Sequence, residues 1–259
     1  MTVWEAVGVF AAGIGAGTIN AIVGSGTLLT FPVLLATGLP PVTANVSNNI
    51  GLVTGNISGA IGYRRELRGQ RARIIRFGIT ALIGGLTGAI LLLALPSKAF
   101  ATIVPALIGI ALVLVVLQPR LAKALARHRE RRAGDNQAPP HPDGGIALLI
   151  GLLLSSVYGG YFGAAQGVLY LSLMGLLLND DIQRINGLKN VLAVIVNGVA
   201  AIFFLSVAHV DWTAALLIAA GSTLGGQIGA KIGRRLPPTA LRAVIVVVGI
   251  AAIVQLLLR

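Results

Sequence analysis

The sequence predicts an all-α polytopic membrane protein built from two inverted-topology repeats of about five hydrophobic segments each, with broken or re-entrant helices. Three observations predict it. Hydrophobic residues make up 56% of the 259-residue chain and charged residues 11%, against roughly 25% charged in a soluble domain. The apolar runs are long and separated by short basic stretches, as expected of helices that satisfy their own backbone polar groups in lipid. The two halves also match without a gap when the chain is displaced by 141 residues. Asn45, Asn49 and Asn56 then fall on Asn186, Asn190 and Asn197, Gly84, Gly85 and Gly88 on Gly225, Gly226 and Gly229, and Leu95-Pro96 on Leu236-Pro237. No stretch alternates polar and apolar residues at every second position, which argues against a β-barrel.

In order, the apolar segments of the first half run near 3–23, 25–37, 45–62, 74–95 and 99–117, and their partners near 146–163, 166–178, 186–206, 212–231 and 239–258. This divides the chain into a membrane repeat at 1–117, a basic cytoplasmic linker at 118–145 and a second repeat at 146–259, together one transporter domain. The first segment follows Met1-Thr2-Val3-Trp4-Glu5 and lacks the positive flank of a cleaved signal peptide, so it is kept in the fold. The second segment is short in both halves: thirteen helical residues cover about 20 Å of a hydrocarbon layer of roughly 30 Å. Val23-Gly24-Ser25-Gly26-Thr27 precedes it in one half and Gly163-Ala164-Ala165-Gln166-Gly167 in the other. Segments 1 and 2 therefore form a broken or re-entrant hairpin in each repeat, which survives at membrane depth only where protein or a wet cavity covers it. The third segments carry the asparagines. The fourth carry small-residue faces that suit close helix packing. Pro96 and Pro237 mark helix ends.

Charge sets the expected orientation. The loop 63–76 holds Arg64, Arg65, Arg68, Arg71, Arg73 and Arg76, whereas its register partner near 204–217 has no Lys or Arg. By the positive-inside rule the two loops face opposite sides, so the repeats are expected to be inverted. A formal net charge of +12 reads as a topology signal and contact with anionic lipid, with no nucleic acid among the expected partners. The chain has no cysteine, and its three histidines lie outside the apolar cores. No cofactor and no metal are expected. All eight acids fall in loops or at segment ends, and no protease or hydrolase signature is present, so the chain is not expected to be an enzyme.

A duplicated apolar unit with broken helices is the sequence mark of a secondary transporter whose substrate sits between the repeats. The candidate binding residues are the glycine breaks and the amide stripes. Gly24, Ser25, Gly26 and Thr27, with Gln166 and Gly167 opposite, can bring backbone amides and a helix N-terminus to an anion. The other reading is that these glycines only let helices cross closely. Asn45 and Asn49 share one helical face, and Asn186 and Asn190 repeat it; two such stripes would line a polar, uncharged chamber suited to a small oxyanion. The alternative is amide glue between helices, a reading equally open for Asn56 and Asn197. Lys189 either attracts an anion at depth or extends to the headgroups. Asn48, its register partner, is expected to face the same cavity. Arg184 belongs with Asp180 and Asp181 in the cytoplasmic turn.

The run from Gly13 to Leu35, with Gly24-Ser25-Gly26-Thr27 inside it, resembles the signature of the sulfite exporter (TauE/SafE) family. So does the stretch from Gly38-Leu39-Pro40-Pro41 to Asn45-Val46-Ser47-Asn48-Asn49, and Asn186-Gly187-Leu188-Lys189-Asn190-Val191-Leu192 is similar to the matching helix of the second half. The resemblance spans nearly the whole chain outside 118–145. It implies a multi-pass permease of the plasma membrane for a small sulfur-containing anion: sulfite, thiosulfate or an organosulfonate. Two features depart from the pattern. Ser25 stands where a second glycine is usual, and the membrane cysteines that some thiosulfate-importing relatives use are absent. Export needs no coupling ion, because an anion leaving a cell that is negative inside gains roughly 2.3 kcal/mol per 100 mV. The expected partners are this anion and the lipid bilayer, with a homo-oligomer as an open alternative. Competing readings are a permease or channel for another small anion and a non-transporting membrane assembly factor.

Overall fold

The computed structural model describes residues 1–134, 143–232 and 238–257. Among them are ten α-helices and no strand: α1 (Val3–Ile22), α2 (Thr27–Ala36), α3 (Pro41–Gly62), α4 (Arg71–Ala94), α5 (Ser97–Gly134), α6 (Gly145–Tyr161), α7 (Gln166–Leu177), α8 (Ile182–Val207), α9 (Trp212–Ile232) and α10 (Pro238–Leu257). Each corresponds to one apolar segment of the sequence. Residues 135–142 of the expected linker lie outside the described residues, and its first part, from 118, continues α5 as a basic helix end.

Local chemistry sets the helix starts. Thr2 and Glu5 form a reciprocal capping box on α1. Pro41 opens α3, where its missing N–H costs nothing, so the helix begins four residues before the asparagine run at which the apolar segment was expected to start. Asp181 caps α8 by accepting from Gln183 N–H at 2.8 Å, and Asp211 caps α9 by accepting from Ala214 N–H at 2.8 Å. Helix α4 starts at Arg71, so Arg71, Arg73 and Arg76 sit on its first turns rather than in a loop.

Five helices (α1, α4, the first 24 residues of α5, α8, and α9 through Lys231) are long and apolar enough to cross a membrane. Helix α3 is long enough, but its amides lower its hydropathy below theirs. Large apolar side chains point outward, among them Ile79, Leu82 and Ile83 of α4, Ile110, Val113 and Val116 of α5, Ile202 of α8 and Leu216 of α9, as a lipid-facing shell requires.

The halves interlock. The most extensive contacts are α1 with α9, α3 with α9 and α4 with α6; the 141-residue register exchanges the first and the third of these for one another and matches α3 with α9 to α8 with α4. Small residues permit this. Gly13 lies on Ile218 and Gly221, Gly17 on Ser222, and Gly229 on Thr18 and Ala21, so α1 and α9 run parallel. Gly84 lies on Leu153 and Ser156, and Gly88 on Val157 and Tyr161, so α4 and α6 do the same. Helix α3 runs parallel to α9, with Gly51 at Ala215 and Ile218, and Gly62 at Ala230. Across the centre, Asn49 meets Asn197 while Gly59 meets Asn190, so α3 and α8 are antiparallel. Thus α1, α3 and α9 run one way, and their register partners α6, α8 and α4 run the other. One end of the bundle is held by charge: Arg73 pairs with Asp143 at 2.8 Å and with Asp180, and Asp180 pairs with Arg184 at 2.8 Å.

Candidate functional site

The breaks between α1 and α2 and between α6 and α7 meet in the middle of the molecule. Each turns on a residue in the left-handed region: Gly24 (φ 86°) in one half and its register partner Ala165 (φ 59°) in the other. Glycine adopts that conformation freely; alanine does so at a cost. Gly24 lies directly against Gly167, with no room for a Cβ on either, and Gly167 N–H donates to Gly24 O at 3.0 Å. Neighbouring bonds hold each break in place. Gly26 N–H donates to Asn20 Oδ1 at 2.7 Å, and Tyr158 OH donates to Ala164 O at 2.7 Å. Phe162, at the end of α6, packs edge-on against Phe31 of α2 with ring centres 5.2 Å apart, which ties the second break to the first half.

Beside the Gly24–Gly167 contact is a small cavity with about 20 Å³ open to the centre of a water, room for about one water molecule. Its wall combines the breaks (Gly24, Thr27, Gly163, Gln166, Gly167) with amides and a cation from the crossing helices (Asn20, Asn56, Lys189, Asn197). Thr27 opens α2 and Gln166 opens α7, so two helix N-termini border the cavity with their positive dipole ends.

Lys189 lies seven residues inside α8, about 10 Å along the helix, and is 1% exposed. It does not extend to the surface. Its Nζ donates to Asn20 O at 2.8 Å and to Ala21 O at 3.2 Å. Among the described residues it is the one charged side chain that is fully buried. Asn20 connects the site: its Nδ2 donates to Asn56 Oδ1 at 3.4 Å, its Oδ1 takes the Gly26 amide and its carbonyl takes the ammonium. Asn56 Nδ2 is buried at the cavity wall without a partner. Gln166 is held by Tyr170, its Nε2 donating to the phenol oxygen at 2.8 Å, and that phenol meets Ser156 Oγ at 2.7 Å.

Of the residues expected from the sequence, Gly24, Thr27, Gln166, Gly167 and Lys189 border this cavity. The others lie behind it or away from it. Gly26 packs on Ala16, and Ser25 is fully buried with its hydroxyl unpartnered. Asn48 supports the wall by accepting from Thr30 Oγ1 and donating to Thr27 Oγ1 at 3.5 Å. Asn49 Nδ2 reaches Asn197 Oδ1 at 3.4 Å across the α3–α8 seam. Asn45 donates to Tyr161 O at 3.0 Å, while Asn186 and Asn190 donate to Ala21 O at 3.3 and 3.4 Å. These amides cap the ends of α6 and α1 in the opposite half. Asn56 and Asn197, left open between site and glue by the sequence, stand on the cavity, as does Asn20, which sequence reasoning did not single out. Arg184, expected in the turn with Asp180 and Asp181, lies in the first turn of α8 and pairs back to Asp180 at 2.8 Å.

The family model described as sulfite exporter TauE/SafE matches residues 9–256. A probable membrane transporter protein of Haemophilus influenzae is 28% identical over 242 residues, 92% of this chain and 89% of the relative. The probable membrane transporter protein YfcA of Escherichia coli K12 is 26% identical over 243 residues, 93% of this chain and 86% of the relative. The probable membrane transporter protein ORF9 of a Sinorhizobium species is 24% identical, over 96% of this chain and 90% of its own. No solved structure matches. With the family match running through nearly every helix, the chain is a multi-pass transporter of the cell membrane and belongs to the sulfite exporter TauE/SafE family.

Proposed function

We propose that this transporter is a permease for a small sulfur-containing anion (sulfite, thiosulfate or an organosulfonate) and exports it by alternating access between two inverted repeats. The observation that carries the reading is the buried Lys189 ammonium sharing a cavity wall with two helix N-termini and the unpartnered Asn56 amide donor. A cation and neutral donors, with no carboxylate on that wall, suit an oxyanion with several acceptor atoms. The opposed directions of α1, α3 and α9 relative to α6, α8 and α4 support the inverted arrangement. The cavity holds about one water, so a substrate enters only when the Gly24–Gly167 contact parts, which a rocking of one half against the other accomplishes.

The test is counterflow of labelled sulfite, thiosulfate and sulfoacetate in proteoliposomes. The expected result is saturable exchange of at least one of them. Lys189→Met should lower it tenfold or more while leaving folded protein in the membrane, because the mutant keeps the buried stem and loses the charge. Ohmic current without counterflow, or undiminished exchange by Lys189→Met, overturns the proposal.

A further inference from the structure

We propose that the Lys189 ammonium occupies a monovalent-cation site built into the end of α1, so that the protein carries its own tethered cation where a coupled transporter would bind a free one. The ligands are oxygens that the helix itself leaves over. In a continuing helix Gly24 N–H would pair with Asn20 O; here it donates to Ile19 O at 3.0 Å, as Val23 N–H does at 2.7 Å. The Asn20 and Ala21 carbonyls are thereby turned out at the negative end of the helix dipole, and Lys189 Nζ takes both, at 2.8 and 3.2 Å. Carbonyls at an unwound helix C-terminus are the ligands with which broken-helix transporters hold a coupling cation.

Two more oxygens stand close by. Asn186 and Asn190 present their amides to Ala21 O, Asn186 Nδ2 also donating to Tyr63 OH at 2.8 Å, and Asn186 Oδ1 is buried without a partner. Rotation of either amide exchanges its nitrogen for its oxygen. Without the ammonium, the place becomes a cluster of carbonyl and amide oxygens with no positive charge.

The other repeat shows that charge is not needed to finish the helix. There the equivalent carbonyl, Tyr161 O, is capped by the neutral amide of Asn45 at 3.0 Å, and Asn48 stands at the position of Lys189. Lysine in one half therefore supplies something that amide capping does not, a fixed positive charge. Its functional meaning rests on the permease reading: an anion that meets a tethered ammonium needs no sodium at this place, and no cation leaves with it.

The site can be read without any substrate. Lys189→Ala removes three carbons and the nitrogen, the volume of propylammonium. Purified wild-type and Lys189→Ala proteins are melted in choline, sodium, potassium and propylammonium chloride at matched ionic strength. The wild type should melt at the same temperature in all four. Lys189→Ala should melt lower in choline and rise saturably with propylammonium, and with sodium or potassium, because a ligand of the native state stabilises it by mass action. Lys189→Met fills the space with an uncharged stem and should not respond. A Lys189→Ala response no larger than that of the wild type overturns the proposal, and so does a sodium-specific rise in the wild type. If Lys189→Ala cannot be purified in choline, recovery of folded protein in propylammonium reports the same site; recovery in neither salt, with Lys189→Met folding normally, overturns it. Failure of counterflow with sulfite, thiosulfate and sulfoacetate alike would remove the permease reading and leave these melting results standing.

Discussion

Gly24, at the centre of this protein, is required twice, for its backbone angle and for the space it leaves to Gly167. The two requirements can be separated. Gly38 has the same φ of 86° with nothing within 4 Å of where a Cβ would stand, so Gly38→Ala measures the angle alone. An L-residue in the left-handed region costs about 1–2 kcal/mol. Gly167 lies in a helix, so Gly167→Ala measures the clash alone: its Cβ would press on the backbone of Gly24 and stand 3.1 Å from Lys189 Cδ. Overpacking against backbone costs about 1–3 kcal/mol. Gly24→Ala incurs both and also strains the Gly167 N–H···O bond of 3.0 Å, worth about 1 kcal/mol. The sum is about 3–6 kcal/mol.

At roughly 3 °C per kcal/mol for a chain of this size, Gly38→Ala should lower the melting temperature by about 5 °C. Gly24→Ala should lower it by about 9–18 °C. Both are read by the loss of monodisperse protein on heating in detergent, at one heating rate. The Gly24→Ala/Gly167→Ala double variant should cost less than the sum of the singles, because the separation forced by one methyl already makes part of the room the other needs. If Gly24→Ala and Gly38→Ala melt together, the close approach of the two breaks is wrong, and with it the cavity they border.

Three further outcomes follow from other parts of the molecule. Gly88→Leu should cost about 3 kcal/mol, since its Cβ would strike the α6 backbone at Val157 and Tyr161, whereas Gly109→Ala on α5, with open space around it, should gain up to about 1 kcal/mol in helix propensity; heating curves of both variants check this. Asp180→Asn removes the carboxylate shared by Arg73 and Arg184, which is 13% exposed, and should cost about 1–2 kcal/mol, with the gap to wild type narrowing in 1 M salt, roughly ten times the screening concentration of ordinary buffer. Tyr170→Phe takes the partner from the Gln166 amide while Ser156 keeps its bond to Leu152 O; it should cost about 1–2 kcal/mol and slow counterflow, as Gln166 is no longer held at the cavity wall.

Much of this architecture was legible in the sequence, for physical reasons that also explain the gaps. Uncharged runs of helical length mark spans because lipid leaves the backbone no other partner, and all ten segments are helices. Helix α3 starts four residues before the apolar run because proline and threonine dilute its first turn, while the proline at that position favours a helix start. Repeat matching drew attention to Asn45 and Asn186, which are matched because both cap a helix of the opposite half. The same matching passed over Asn20. Its register partner is Tyr161, so nothing in the comparison of halves marks it, yet its amide and its carbonyl hold the first break, Asn56 and Lys189 together. The one available signal was an intramembrane amide four residues before a double-glycine break.

Asn20 and Lys189 show how a duplicated protein divides its labour. The features that repeat, namely glycine seams, short second helices and amide caps, determine how the halves fit, and each must serve in both places. A site of the kind proposed for this cavity cannot use two lysines as cheaply as one. A lysine at position 48 would bury a second ammonium near the same chamber, adding another desolvation cost and a repulsion that the low-dielectric surroundings strengthen. Asn48 instead stays neutral and braces Thr27 and Thr30. One buried ammonium is the charge that a monovalent anion neutralises, so on the permease proposal selection for substrate charge is expected to reside where the repeats differ.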